Sequence, residues 1–110
     1  MPYIYCVVRK DLSPAQQAVQ ACHVCIEAAP LIPAGIDHPH LVLLGVEDER
    51  RLRSVINRLE ASGVKYRTFH EADIGHQLTA VATEPVYSEE HRRLFKRYQL
   101  LNYIPQREVA

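Results

Sequence analysis

The chain has 110 residues, 47% hydrophobic and 24% charged, the ordinary balance of a single globular domain, 1-110, that can bury a core unaided. Its 13 lysines and arginines are matched by 13 aspartates and glutamates, which excludes a broad nucleic-acid coat and leaves a polyanion only a local patch to meet. No apolar run approaches the roughly 18 residues that suggest a membrane span, and Met1-Pro2-Tyr3-Ile4-Tyr5-Cys6 lacks the layout of a signal peptide, so a cytoplasmic protein without membrane partners is expected.

Tyr3 to Arg9 is an unbroken β-branched and aromatic run and predicts a central strand buried on both faces. A helix should follow: Ser13 can cap it, Pro14 suits its first position, and Gln16 can close a capping box. It should reach about Ala29, with Ala15, Ala18, Val19, Cys22, Ile26 and Ala29 as its core stripe. Pro30 to Pro39 holds three prolines and a glycine and reads as an irregular connection. His40 to Val46 predicts a second strand, reached by a right-handed parallel crossover.

Glu47 to Ser62 predicts a second helix, with Leu52, Val55, Ile56 and Leu59 on one face and Gly63 ending it. Val64 to His70 is a more polar third strand, placed nearer an edge. The turn from Glu71 to His76 is too short for a crossover, so Gln77 to Glu84 should pair antiparallel with it. Ser88 opens a final helix carrying Leu94, Phe95, Tyr98 and Leu101.

Beside the expected core stripe, Gln16, Gln20, His23 and Glu27 fall at i, i+4, i+7 and i+11 and line up along one side of the first helix. Such a row, starting at a helix N-terminus with its unpaired N–H groups, can wall a polar cleft for a phosphate or an oxyanion. The same spacing also describes the polar border of a half-exposed helix. His23 is the candidate for proton transfer, since imidazole titrates near neutrality, and equally a candidate interior histidine bonded to a strand. Glu71, Asp73 and His76 cluster in the turn after the third strand, where turn chemistry explains Asp73 and Gly75 as well. Thr79 stands early in the fourth strand as a hydroxyl donor or as β-branched filler.

Metal and cofactor chemistry find little support. Cys22 and Cys25 precede His38 and His40 at an interval like that of a zinc finger, but the histidines are too close together and the cysteines lie inside a helix. The odd count of Cys6, Cys22 and Cys25, on apolar positions, fits reduced thiols. No glycine-rich phosphate loop, dinucleotide turn or nucleophile elbow is present, so no cofactor is expected and any hydrolysis should use activated water.

Val8-Arg9-Lys10-Asp11-Leu12 followed by Ala18-Val19-Gln20-Ala21-Cys22-His23 resembles the V-R-x-D-L…A-A-Q-x-x-H-A signature of the type II peptidyl-tRNA hydrolases. The later order, with Leu41–Leu44, Glu47–Glu49, Gly63 and Leu78–Ala82, is similar too, so the resemblance spans about residues 3 to 101. It implies an α/β protein, a three-layer α/β/α fold with a four-stranded mixed sheet and strand four antiparallel to the rest. It also implies cofactor-free cleavage of the ester joining a peptide to tRNA. Gln20 and His23 match the helix signature, Glu71 falls where the family has a functional aspartate, and Thr79 matches a threonine of strand four. Gln16 stands where the family has a catalytic lysine, and the loop after strand three is about four residues shorter.

The expected reaction is therefore hydrolysis of peptidyl-tRNA. His23 and Glu71 would position water, while Gln16, Gln20 and Thr79 would complete the catalytic group. Arg9, Lys10, Asp11 and Ser13 before the helix, with Asp73 and His76 in the turn, would meet the substrate. The alternative is a tRNA- or acyl-ligand-binding module that has lost turnover with the lysine. The apolar tail Leu100-Leu101-Asn102-Tyr103-Ile104 adds the expectation of a possible homodimer.

Overall fold

The computed structural model describes residues 1–101. Tyr3–Arg9 forms strand β1, buried along nearly its whole length, as its uninterrupted apolar run requires. His40–Val46 forms β2 and pairs parallel with β1, Tyr3 opposite His40 and Arg9 opposite Val46. Tyr66–Glu71 forms β3 and Gln77–Thr83 forms β4, which are antiparallel to one another as the short turn dictates. β4 also runs antiparallel to β1, so the predicted reversal of strand four is present and β3 lies at an edge.

Among the described residues the sheet holds five strands, not four. Gln99–Leu100 forms β5, antiparallel to β2 with Leu100 opposite Leu44, and the order is β3-β4-β1-β2-β5. The expected final helix is correspondingly short: α3 covers Glu89–Arg92, and a single 3-10 turn, Arg93–Phe95, follows. Continuing it would align Arg92 with Lys96 and Arg93 with Arg97, like charges four residues apart that oppose a helix. The chain instead uses the open edge of β2, where Leu101 N–H donates to the Leu43 carbonyl at 2.9 Å.

Helix α1 spans Pro14–Ala28, with a 3-10 turn at Ala29–Leu31 where Pro30 stops regular propagation. Helix α2 spans Glu49–Ser62 and is capped by Asp48, whose carboxylate accepts the Arg51 N–H at 2.9 Å. Gly63 ends α2 at φ +75°, a left-handed conformation from which its N–H reaches the Leu59 and Glu60 carbonyls.

Alternation along β1 divides the interior in two. Tyr5 and Val7 join Leu44, Val46, Val81, Phe95 and the Leu52, Val55 and Leu59 face of α2. Cys6 and Val8 join Val24 and Ala28 of α1 with Ala80 and Ala82 of β4. Helices therefore cover both faces of the sheet, and the molecule is an α/β protein with three helices on a mixed sheet.

The predicted core stripe of α1 is corrected. Val19 is 44% and Ile26 69% exposed, whereas Gln20, Val24 and Ala28 are the buried residues. Small side chains on β1 and β4 let the helix lie close, and its Gln20 side chain is fixed by hydrogen bonds that the helix alone does not contain.

Candidate functional site

Gln20 organises the site. Its side chain, 1% exposed, sits between α1, β3 and β4. Its Nε2 donates to Glu71 Oε1 at 2.7 Å and to Gln16 Oε1 at 3.1 Å, and its Oε1 accepts from the Thr79 hydroxyl at 2.7 Å. A buried amide is tolerated only when satisfied in this way. Thr79 can point at α1 because of an irregularity in the sheet. Phe69 pairs with Ala80 and His70 with Leu78, so Thr79 is the extra residue of a bulge, which re-aims a side chain.

Glu71 closes β3 and receives two donors, Gln20 Nε2 on one oxygen and the Asp73 backbone N–H on the other at 3.2 Å. The Gln20 contact, then the Asp73 N–H, hold its carboxyl below the usual range against the opposing effect of desolvation. It is therefore ionised at neutral pH. His23 is exposed one helical turn on, and its ring lies flat on Phe69 with centroids 4.4 Å apart and planes 1° apart. The imidazole is exposed to solvent, stacked on Phe69, and near enough to the Glu71 carboxyl to help lower its pKa.

The approach to α1 is braced. Ser13 accepts the Gln16 N–H at 3.2 Å, the expected cap, while Gln17 Nε2 donates to the Leu12 and Lys10 carbonyls at 2.7 and 3.2 Å. Gln16 does not close a capping box; its oxygen faces Gln20, which turns its NH₂ group outward. Arg9 is 7% exposed and bound on all sides. Its Nε and Nη2 grip both oxygens of Asp11 at 2.9 and 2.8 Å, and its Nη1 donates to Gln77 Oε1 and the Leu78 carbonyl at 2.8 and 3.0 Å. This bidentate pair raises the Arg9 pKa and lowers that of Asp11.

The structure thus brings Gln16, Gln20, His23, Glu71 and Thr79 together from three elements, and it divides them by reach. His23, Gln16 and Glu71 face outward, while Gln20 and Thr79 are sealed behind them; Thr79 is fully buried. Arg9 and Asp11 engage one another, and Arg9 also bonds to strand β4 through Gln77 and the Leu78 carbonyl, while the Asp11 side chain stays exposed. Ser13 is exposed at the helix start, and Asp73 and His76 are exposed in the turn, where His76 takes the left-handed conformation at φ 59°. Lys10 leaves this group and joins a basic cleft on the α2 side.

Cys6 and Cys25 approach across β1 and α1, and this contact together with burial pushes the Cys6 thiol up. Among the described residues no group of three or more metal-ligating side chains converges, and no helix is long and apolar enough to cross a membrane. The burial of Gln20 had a sequence signal that the polar stripe obscured: Gln20, Val24 and Ala28 share the four-residue spacing of a packed face. The bulge at Thr79 had none, because it arises from pairing between strands.

No protein-family model matches the chain, and no curated protein does. Solved structures do match. Among them is Atu0240 of Agrobacterium tumefaciens strain C58, a protein of unknown function, with a TM-score of 0.62 and 14% identity over 90% of this chain and 96% of that one. At that identity the likeness shows the fold alone.

Proposed function

We propose that this protein hydrolyses the ester bond of peptidyl-tRNA or a closely related acyl-tRNA. The observation carrying the reading is the Gln20 junction, which holds Gln16, Glu71 and Thr79 in one network beside an accessible His23. The likeness of Arg9 to His23 to the helix signature of the type II peptidyl-tRNA hydrolases supports it, as does the reversed strand four of the sheet. The three-layer arrangement of that family is compatible with helices on both faces here.

In this reading His23 takes a proton from water, and Glu71 stabilises the imidazolium that forms. The hydroxyl attacks the ester carbonyl carbon, whose oxygen is met by the outward NH₂ of Gln16. The ribose oxygen leaves with the proton returned from His23, giving free tRNA and a peptide acid that releases its own proton to solvent as the carboxylate. Gln20 and Thr79 position Gln16 and Glu71. No cofactor takes part.

Purified protein should release peptide from a labelled peptidyl-tRNA, and His23→Ala should slow release by at least about tenfold, the low end for loss of a general base. Absence of turnover by folded wild-type protein removes the reading. A second reading, binding without turnover, draws on the neutral Gln16 where the family has a lysine, since an amide cannot supply that fixed charge. It expects RNA to be retained with no product formed.

A further inference from the structure

We propose that the cleft at the C-terminal ends of β1 and β2, between α2 and the segment entering β5, is a groove for the phosphodiester backbone of a structured RNA. The choice of RNA over other polyanions rests on the ester-hydrolase reading; the groove itself rests on what lines it.

The cleft encloses about 530 Å³ and gathers Lys10, Arg50, Arg51, Arg58 and Arg97 around one carboxylate, Glu47. The whole chain is electrically neutral, so this concentration is local and its field is not cancelled within the cleft. Among the described residues every ion pair uses other cations: Arg9 with Asp11, Arg53 with Glu49, and Arg92 and Lys96 with Glu89. Among the described residues the five cleft cations thus have no carboxylate partner, and they differ from the other unpaired cations, Lys65, Arg67 and Arg93, in being gathered in one cleft. Four of the five are arginines, whose forked donors suit phosphate oxygens.

The groove is also built. Arg58 is pinned by donating from Nη1 to the Leu94 carbonyl at 3.0 Å and to the Tyr98 hydroxyl at 2.8 Å. Lys10 Nζ reaches Gln99 Oε1 at 3.3 Å. The floor is Gly45, where a Cβ would stand 2.8 Å from Lys10 Cγ and from Leu101 Cδ1, so the absence of a side chain lets the lysine stem cross the cleft. The groove adjoins the candidate active site through shared backbone. The Lys10 carbonyl accepts from Gln17 of α1, and Glu49 of α2 accepts the Leu78 N–H at 3.0 Å, next to Thr79.

The test uses a fluorescent RNA minihelix with an acceptor-type single-stranded end and follows binding by anisotropy across a salt series. Binding should weaken as salt rises. Arg50→Gln/Arg51→Gln should lower affinity at least about tenfold and flatten the salt slope by about two phosphate contacts. The control Arg53→Gln/Arg67→Gln removes the same charge outside the cleft and should change affinity less than about twofold. Lys10→Gln/Arg97→Gln serves as an independent cleft variant should the first fail to fold.

Equal losses in cleft and control variants overturn the proposal, as does binding that ignores salt. Polyglutamate bound as tightly as RNA reassigns the cleft to an acidic protein partner. Competition by micromolar inorganic phosphate reassigns it to a small phosphate ester, and either result overturns the RNA assignment. RNA binding that survives while turnover is absent sinks the hydrolase reading alone, and turnover without cleft-dependent binding sinks the groove alone.

Discussion

Glu71 reports on the network around it because both of its oxygens are occupied by donors from different places, one from Gln20 on α1 and one from its own turn. Removing the first donor with Gln20→Ala should raise the Glu71 pKa toward the unperturbed glutamate value of about 4.3. Carboxyl-carbon NMR titration reads this directly, and an unmoved Glu71 titration means that Gln20 does not hold that carboxylate. The row of Gln20 and His23 was legible from helical spacing, and the resemblance to the hydrolase family set Glu71 with them; the structure shows Gln20 and Glu71 in contact. Their division of labour was not legible. A glutamine and a histidine three residues apart carry no sign of which one the sheet covers, and Thr79 faces α1 only because a bulge turns it there.

At the scale of the element, α1 shows how far periodicity alone reaches. The helix from Ser13 to about Ala29 is dictated by its cap, its first-turn proline and the proline that ends it. Its orientation is not, because apolar and small residues occur on more than one side. Val24→Ala, which opens space against Ala80 and Ala82, should cost about 1.5–3 kcal/mol of stability. Ile26→Ala, on the exposed side, should stay within about 0.5 kcal/mol. Chemical denaturation of the two variants decides it; an equal or reversed pair of losses means that the helix packs through the other stripe. The final helix fails for a related reason, since its cap and acidic first turn are present and yet like charges and the free edge of β2 compete with its second turn. The proposed tail contact belongs partly outside the described residues: Leu100 pairs with β2, and 102–104 lie beyond them.

Across the whole molecule, the carboxylates of Asp11, Glu49 and Glu71 are all held below their ordinary pKa by donors from other elements: Arg9, the Leu78 N–H and Gln20. A carboxyl whose folded pKa lies below its unfolded one contributes stability in full above the unfolded value and loses it as pH falls through the folded one. The melting temperature should therefore be steady near neutrality and drop progressively below about pH 4. The drop should be shallower in Asp11→Asn/Glu71→Gln, and a parent protein with a flat profile down to about pH 2.5 contradicts these couplings. The same whole-molecule view explains the basic cleft. Arg50, Arg51 and Arg58 on α2 and Arg97 before β5 stand in the chain as two separate basic clusters, and the fold brings them to one cleft with Lys10 over Gly45.

The sequence by itself determined the α/β class, the four main strands, the parallel pairing of β1 with β2 and the antiparallel pairing of β3 with β4, the start of α1 and the residues of the polar row. These follow from local patterns, namely caps, turn lengths and unbroken apolar runs. Only the tertiary structure decided which side of α1 is inside, that a fifth strand completes the sheet, which polar groups face solvent, and that two distant arginine segments share one cleft with Lys10. Each of those depends on pairing between residues far apart in the chain, where burial and hydrogen bonding are settled jointly and no single segment carries the answer.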